Sequence, residues 1–178
     1  MLKFIRLTPD SPEYDAVIGL YVSAFPDDER RPLDDFRTVL AESPYFVAQV
    51  VSDGDAFVGF ITYWDFPSYR YVEHFAIAPG LRGHGYGGDV IERLKSTTPL
   101  PVVLEVEPPV TSQARRRILF YERHGFALSD YAYEQPPYRP GAARLPMRLM
   151  VTQGEALGPV TAATLEPIYH FVYRVASE

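Results

Sequence analysis

The chain has no cysteine among its 178 residues. That excludes disulfides, thiolate metal sites and a cysteine nucleophile together. Bases are in deficit. Seventeen lysines and arginines face 23 acids, for a net charge of -6, so the surface as a whole repels nucleic acid and anionic membranes. No stretch approaches the roughly eighteen apolar residues a membrane-spanning helix needs. Met1 to Arg6 reaches charges without an apolar run of signal length. The expectation is a soluble, cytoplasmic protein without nucleic-acid or membrane partners. No His/Asp/Glu cluster has metal-ligand spacing, and no repeat or low-complexity tract is visible. What is present is an ordinary globular composition, 47% hydrophobic and 22% charged. The length suits one domain, or one domain with a short appendage, and buries about 70% of the unfolded surface.

The pattern opens with a short strand at Leu2, Phe4 and Ile5. Ser11-Pro12-Glu13 reads as a helix start, with a hydroxyl cap and proline at the first position, and the spacing of Val17, Leu20, Tyr21 and Ala24 predicts a helix over 12–25. A charged loop, Pro26 to Pro32, leads to a shorter helix over 33–41. Tyr45–Val51 and Phe57–Trp64 form a hairpin about Asp53-Gly54, and Tyr69–Ala78 continues an antiparallel meander. A helix over 87–96 follows, then a buried-type strand over 101–106 and a helix over 111–124 stopped by Gly125. Phe126–Tyr133 and Met147–Val151 read as late strands about a proline-rich loop, 135–141. Thr164 reads as the cap of a final helix carrying Leu165, Ile168, Tyr169, Val172 and Val175. The order predicts an α+β or mixed α/β sheet with helices on its faces.

One segment carries chemistry. Phe75 to Gly88 runs from a strand through Pro79 and five glycines, with Arg82 among them, into the first turn of a helix. Opening N–H groups of a helix lack internal partners and carry partial positive charge. Glycines let the backbone approach a phosphate, and arginine adds a matching fork of donors. The string is an anion site. Read literally, Gly83-His84-Gly85-Tyr86-Gly87-Gly88 also satisfies the dinucleotide fingerprint, with Glu105 or Glu107 at about the expected 20-residue spacing. That reading fails because Arg70, Glu73 and His74 interrupt the preceding strand, which arrives through tight antiparallel turns. A P-loop fails because no Lys-Ser or Lys-Thr follows the glycines.

Arg82-x-x-Gly85-x-Gly87, approached through Ile77 and Pro79, resembles the acyl-coenzyme A signature of the GCN5-related N-acetyltransferase (GNAT) superfamily. Phe120-Tyr121-Glu122-Arg123-His124-Gly125-Phe126 is similar to that family's later motif, a tyrosine near a helix end before Gly-Phe. The order of elements over 1–151 matches as well. The chain departs where members often carry an asparagine seven residues before the tyrosine and an alanine four before it: here Ala114 and Arg117 stand.

The resemblance implies a GNAT domain over 1–151, with 152–178 a C-terminal helical extension packed on it. The implied fold is a mostly antiparallel sheet with a V-shaped splay between two parallel strands, those of Phe75–Ala78 and Val103–Val106. It implies acetyl-coenzyme A as co-substrate, without a metal. The pyrophosphate lies on the N–H groups of Arg82, Gly83, His84, Gly85, Tyr86 and Gly87, and the acetyl carbonyl near the N–H of Ala76 or Ile77. The implied activity is N-acetyl transfer to the primary amine of a small molecule or peptide, in a ternary complex. Tyr121 is the implied acid, and Glu73, on the face of Phe75 by strand alternation, the candidate base. His74 is expected on the opposite face. The alternative is a coenzyme-binding module without turnover. Arg115 to Arg117 read as a solvated face or a contact to the 3′-phosphate. Asp27 to Glu29 lie where related folds line the acceptor site. Tyr131, Tyr133, Tyr138, Tyr169 and Tyr173 make the C-terminal third aromatic, and its last helix offers a surface for a homodimer.

Overall fold

The computed structural model describes residues 1–152 and 158–175. They form two compact units. Unit 1 comprises Met1–Asp65 and Val72–Thr97, and unit 2 comprises Phe66–Tyr71 and Thr98–Glu178. The fold is mixed α/β, with strand pairing mostly antiparallel. Among the described residues no helix is long and apolar enough to cross a membrane.

Unit 1 begins with β1 (Leu2–Arg6), which pairs antiparallel with β2 (Phe46–Asp53). β2 pairs in turn with β3 (Ala56–Asp65) through the predicted hairpin, where Gly54 takes a left-handed φ of 60°. β3 is buried along almost its whole length, on both faces, which explains its unbroken apolar run. β4 (Arg70–Ile77) contributes its later residues to this unit. Helices α1 (Tyr14–Ala24) and α2 (Leu33–Glu42) pack on β3 and β2. Their shared core is aromatic: Tyr21 and Phe36 lie 5.0 Å apart between ring centroids, and Phe46 and Trp64 5.1 Å. α3 (Tyr86–Ser96) follows the glycine loop, burying Val90, Ile91 and Leu94.

Ser11 does not cap α1. Its hydroxyl turns back to accept the N–H of Thr8 at 2.9 Å, and the helix begins three residues later at Tyr14. A hydroxyl with a nearer backbone donor loses its capping role to that local turn.

In unit 2, β8 (Leu145–Thr152) pairs antiparallel with β5 (Val102–Val106), β6 (Phe126–Leu128) and β7 (Tyr133–Gln135). Arg70 at the head of β4 donates its N–H to Pro101 O just ahead of β5, at 2.9 Å, where β4 and β5 run side by side as the parallel pair among the described strands. α4 (Ser112–Arg123) is capped by Thr111, whose hydroxyl accepts the Ala114 N–H, and Gly125 ends it at a φ of 81°. The strand read as Phe126–Tyr133 is two strands. It breaks where the Ser129 hydroxyl accepts the Tyr131 N–H at 3.1 Å, a side-chain turn that displaces the ladder.

The last helix, α5 (Ala162–Pro167), is capped by Thr161, with Thr164 bonding back to complete a capping box. Thr164 is therefore the third helical residue and not the cap. Pro167 has no N–H to donate, and the chain continues as a π-helical turn, Ile168–Tyr173. Tyr69 ties this segment to unit 2 by donating to Thr164 O at 2.6 Å. Residues 153–157 and 176–178 of the expected C-terminal extension lie outside the described residues.

One close approach governs unit 1. A Cβ on Gly59 of β3 would stand 2.2 Å from the carbonyl oxygen of Ala76 on β4. Gly59→Ala is expected to destabilise the protein by about 2 kcal/mol, because two backbones must separate to admit one methyl group. Gly19→Ala, at an exposed helical site where a Cβ meets nothing, is expected to stabilise by about 0.5 to 1 kcal/mol. Urea unfolding of the two variants checks these opposite signs.

Candidate active site

The loop that follows β4 is built in three steps. A 3₁₀ turn, Pro79–Leu81, reverses the chain. Arg82 then folds back, its Nε donating to Ile77 O at 3.1 Å. Gly83 and Gly85 take φ values of 81° and 89°, a region that penalises any Cβ, and Gly85 opens α3 without a side-chain cap. The result is a run of donors. The N–H groups of Gly83, His84, Gly85, Tyr86 and Gly87 bond no acceptor among the described residues, whereas the N–H of Gly88 returns to Gly85 O at 2.9 Å. Added Cβ atoms at Gly83 and Gly85 would meet nothing within 4 Å, so the space in front of these amides is open. His84 spends its Nδ1 on Arg82 O at 3.0 Å, and Tyr86 donates its hydroxyl to Asp53 at 3.1 Å, fixing the first turn of α3 to the β2 end. Amides at a helix start, with its dipole behind them, fit a diphosphate.

The strand end supplies a single outward amide. Ala78 donates its N–H to Val58 O at 2.9 Å, and the carbonyl of Ala76 faces Gly59, so both residues turn their backbone groups to β3. By alternation the N–H and C=O of Ile77 turn away from β3, and Ile77 O meets Arg82. Of the two candidates, Ala76 and Ile77, the latter turns its N–H away from β3.

Glu73 lies upstream in the same unit, with its side chain 1% exposed. Its Oε1 accepts from Arg31, at 2.9 Å to Nε and 2.8 Å to Nη2, and its Oε2 accepts the Trp64 indole N–H at 2.7 Å. Arg31 also pairs with Asp35 at 2.8 Å and stands 5.5 Å from the Trp64 ring centroid. His74 does not take the opposite face. Its Nδ1 lies 4.0 Å from Glu73 Oε1, its ring packs 4.8 Å from Tyr21, and its Nε2 meets Glu29 O at 3.0 Å. The Thr62 hydroxyl accepts the His74 N–H at 3.1 Å. Burial pushes the His74 pKa below its ordinary value, against the pull of Glu73.

Tyr121 belongs to unit 2, near the end of α4, with its ring packed 5.1 Å from Phe120 and 5.5 Å from Phe126. Burial pushes its pKa up to about 12, with Arg117 opposing. The hydroxyl bonds nothing among the described residues. Arg115 spends its guanidinium on Pro109 O and Val110 O, and Arg117 on Glu107, in line with a solvated face.

Sequence reasoning missed the centre of unit 2. Glu105 interrupts the apolar strand β5, and its Oε1 accepts from Tyr71 at 2.6 Å, Tyr133 at 2.5 Å and Tyr173 at 3.1 Å. Burial and the Glu105 charge together raise all three phenols well above the ordinary tyrosine range. The signal was one acid inside an apolar strand beside an excess of tyrosine. Its partners come from β4, β7 and the C-terminal turn, which no local pattern connects.

The comparisons with known proteins agree with this geometry. The model of the acetyltransferase (GNAT) domain matches residues 41–128, which span β2 to β6 and contain the amide run. A GNAT-family structure from Bacteroides thetaiotaomicron is 40% identical, covers 97% of this chain and 99% of its own, and superposes with a TM-score of 0.87. A Bacillus subtilis acetyltransferase solved with CoA shares the fold, at a TM-score of 0.60 and 14% identity, over 86% of this chain and 99% of that one. YjbC of Bacillus subtilis (strain 168) is 34% identical over 64 residues, 35% of this chain and only 33% of that relative's length. With its glycine loop of open amides, its element order and a relative alike from end to end, the chain belongs to the GNAT acetyltransferase family.

Proposed function

We propose that the protein transfers an acetyl group from acetyl-coenzyme A to a primary amine by direct attack in a ternary complex. The observation that carries this reading is the run of five amides from Gly83 to Gly87, beside Arg82, that have no acceptor among the described residues. It suits the diphosphate of the coenzyme, while Phe75 to Ile77 offer an edge for the pantetheine arm. The Ile77 N–H would steady the oxygen of the tetrahedral intermediate. The amine nitrogen attacks the thioester carbon, the C–S bond breaks, and the nitrogen sheds a proton. Tyr121 returns a proton to the departing sulfur. Its pKa of about 12 keeps it protonated at working pH. Glu73, ion-paired with Arg31 at 2.8 Å, stands as the proton acceptor.

Acceptor-dependent release of free thiol tests the whole reading. Binding of acetyl-coenzyme A with no thiol release across a broad amine panel would leave only a coenzyme-binding module. Tyr121→Phe is expected to lower kcat by roughly 100-fold, with KM for acetyl-coenzyme A nearly unchanged. Because the raised pKa holds the proton on until about pH 12, a decline of kcat between pH 8 and 10 must come from another group. A Tyr121→Phe variant that kept full kcat would contradict the role.

Glu73→Gln separates catalysis from packing. It breaks a buried ion pair, so a stability loss of about 3 kcal/mol is expected in either case. As a base, Glu73 further requires kcat in the still-folded variant to fall by roughly 100-fold. A lowered melting temperature with kcat intact would instead identify Glu73 as the tie between β4 and the segment before α2.

A further inference from the structure

The amides from Gly83 to Gly87 serve an anion best if they already converge, and within unit 1 two bonds hold the loop that carries them. At its strand end, Ala78 donates its N–H to Val58 O of β3 at 2.9 Å. At its helix end, Tyr86 donates its hydroxyl to Asp53 Oδ2 at 3.1 Å. Between these points the loop bonds only to itself and to Ile77 and Ala78. Leu81 N–H meets Ala78 O, Arg82 N–H meets Pro79 O, Arg82 Nε meets Ile77 O, and His84 Nδ1 meets Arg82 O. Among the described residues, the Tyr86 hydroxyl makes the one side-chain hydrogen bond that runs from the amide run to another element.

Asp53 is a firm anchor. It closes β2, paired with Leu2 of β1 on one side and Ala56 of β3 on the other, and Gly54 turns the chain directly after it. Its Oδ1 accepts from the Met1 ammonium at 3.0 Å, which leaves Oδ2 to Tyr86. The bond to this carboxylate raises the Tyr86 pKa above its ordinary value, so the phenol stays a donor at working pH. The loop needs such an anchor. Its glycines lose more conformational freedom on ordering than other residues, Gly85 gives α3 no side-chain cap, and the first buried residue of that helix is Val90.

We propose that Asp53 and Tyr86 are positioning residues for the coenzyme: the β2–β3 turn holds the first turn of α3 so that a diphosphate meets amides already in place. This rests on the acetyl-transfer reading. Ordering completed before binding does not subtract from affinity. The effect is selective, because the bond acts on the amides that face the diphosphate and not on the edge of Phe75 to Ile77.

Titrations with coenzyme A and with pantetheine, followed by calorimetry and amide shifts, test this in Tyr86→Phe, Asp53→Ala, the double variant and Asp53→Asn. Tyr86→Phe and Asp53→Ala are each expected to weaken coenzyme A by roughly 10-fold, the worth of one hydrogen bond to a charged group. The double variant is expected to lose no more than either single one, since both remove the same bond. Asp53→Asn keeps a carbonyl acceptor and is expected to retain most of the wild-type affinity. Pantetheine affinity is expected to be equal across the series, and KM for acetyl-coenzyme A to rise while kcat at saturation holds. Tyr86→Phe removes a single oxygen, so it carries the comparison even if Asp53→Ala fails to fold. Coenzyme A affinity unmoved in Tyr86→Phe, additive losses in the double variant, or an equal loss for pantetheine would overturn the positioning role and leave acetyl transfer standing. Selective weakening of coenzyme A with no thiol release from any amine would support the role and sink acetyl transfer. A wild-type protein that bound no coenzyme A would sink both.

Discussion

Five backbone N–H groups in a row, Gly83 to Gly87, have no acceptor among the described residues, and unit 1 is arranged around keeping them that way. An unpaired amide is tolerated where solvent or a ligand reaches it, and costly where neither does. The loop residues are accordingly exposed or half-exposed. Two glycines in the left-handed region turn the donors outward. Arg82 is folded onto Ile77 O, and Tyr86 is pinned to Asp53. Even the β3–β4 contact serves this end, since Gly59 lets Ala76 come close enough for Ile77 to present its own amide to the other side. Function and local architecture are here one constraint. A backbone that satisfied itself would have nothing left to hold an anion.

The two units each bury a carboxylate, and they solve the problem differently. Glu73 is answered by a guanidinium and an indole N–H, a charged pair whose desolvation cost is offset only while both partners stay. Glu105 is answered by three phenols, each a neutral donor kept protonated by burial and by the carboxylate itself. The first arrangement ties β4 to the segment ahead of α2. The second draws residues from β4, β5, β7 and the C-terminal turn onto one carboxylate. Each network therefore assembles sequence-distant segments around one charge, and each depends on every member.

The order of elements was legible because the relevant signals are local. The loop of open amides announced itself by glycines between a strand and a helix, the hairpin by Asp53-Gly54, the close of α4 by Gly125. Misreadings arose where a hydroxyl had two nearby backbone partners. Ser11 chose Thr8 over α1, Ser129 broke a strand in two, and Thr161 took the cap that Thr164 seemed to offer. His74 packs against Tyr21 of α1 and meets Glu29 O in the loop that follows, contacts that strand alternation alone does not foresee. The Glu105 centre was beyond local reading altogether. Tyr71 and Tyr173 stand about a hundred residues apart, and only tertiary structure brings both onto one carboxylate. The tyrosine excess was visible; its geometry was not.

The account turns on the amide run, and amide chemical shifts report on it directly. In an isotope-labelled sample titrated with coenzyme A, the N–H resonances of Gly83, His84, Gly85, Tyr86 and Gly87 should move downfield together and saturate. Pantetheine, which has no diphosphate, should leave those five in place while still shifting Phe75 to Ile77. If coenzyme A shifted other regions and left the five unmoved, or if pantetheine moved them equally, the anion-cup account would be contradicted.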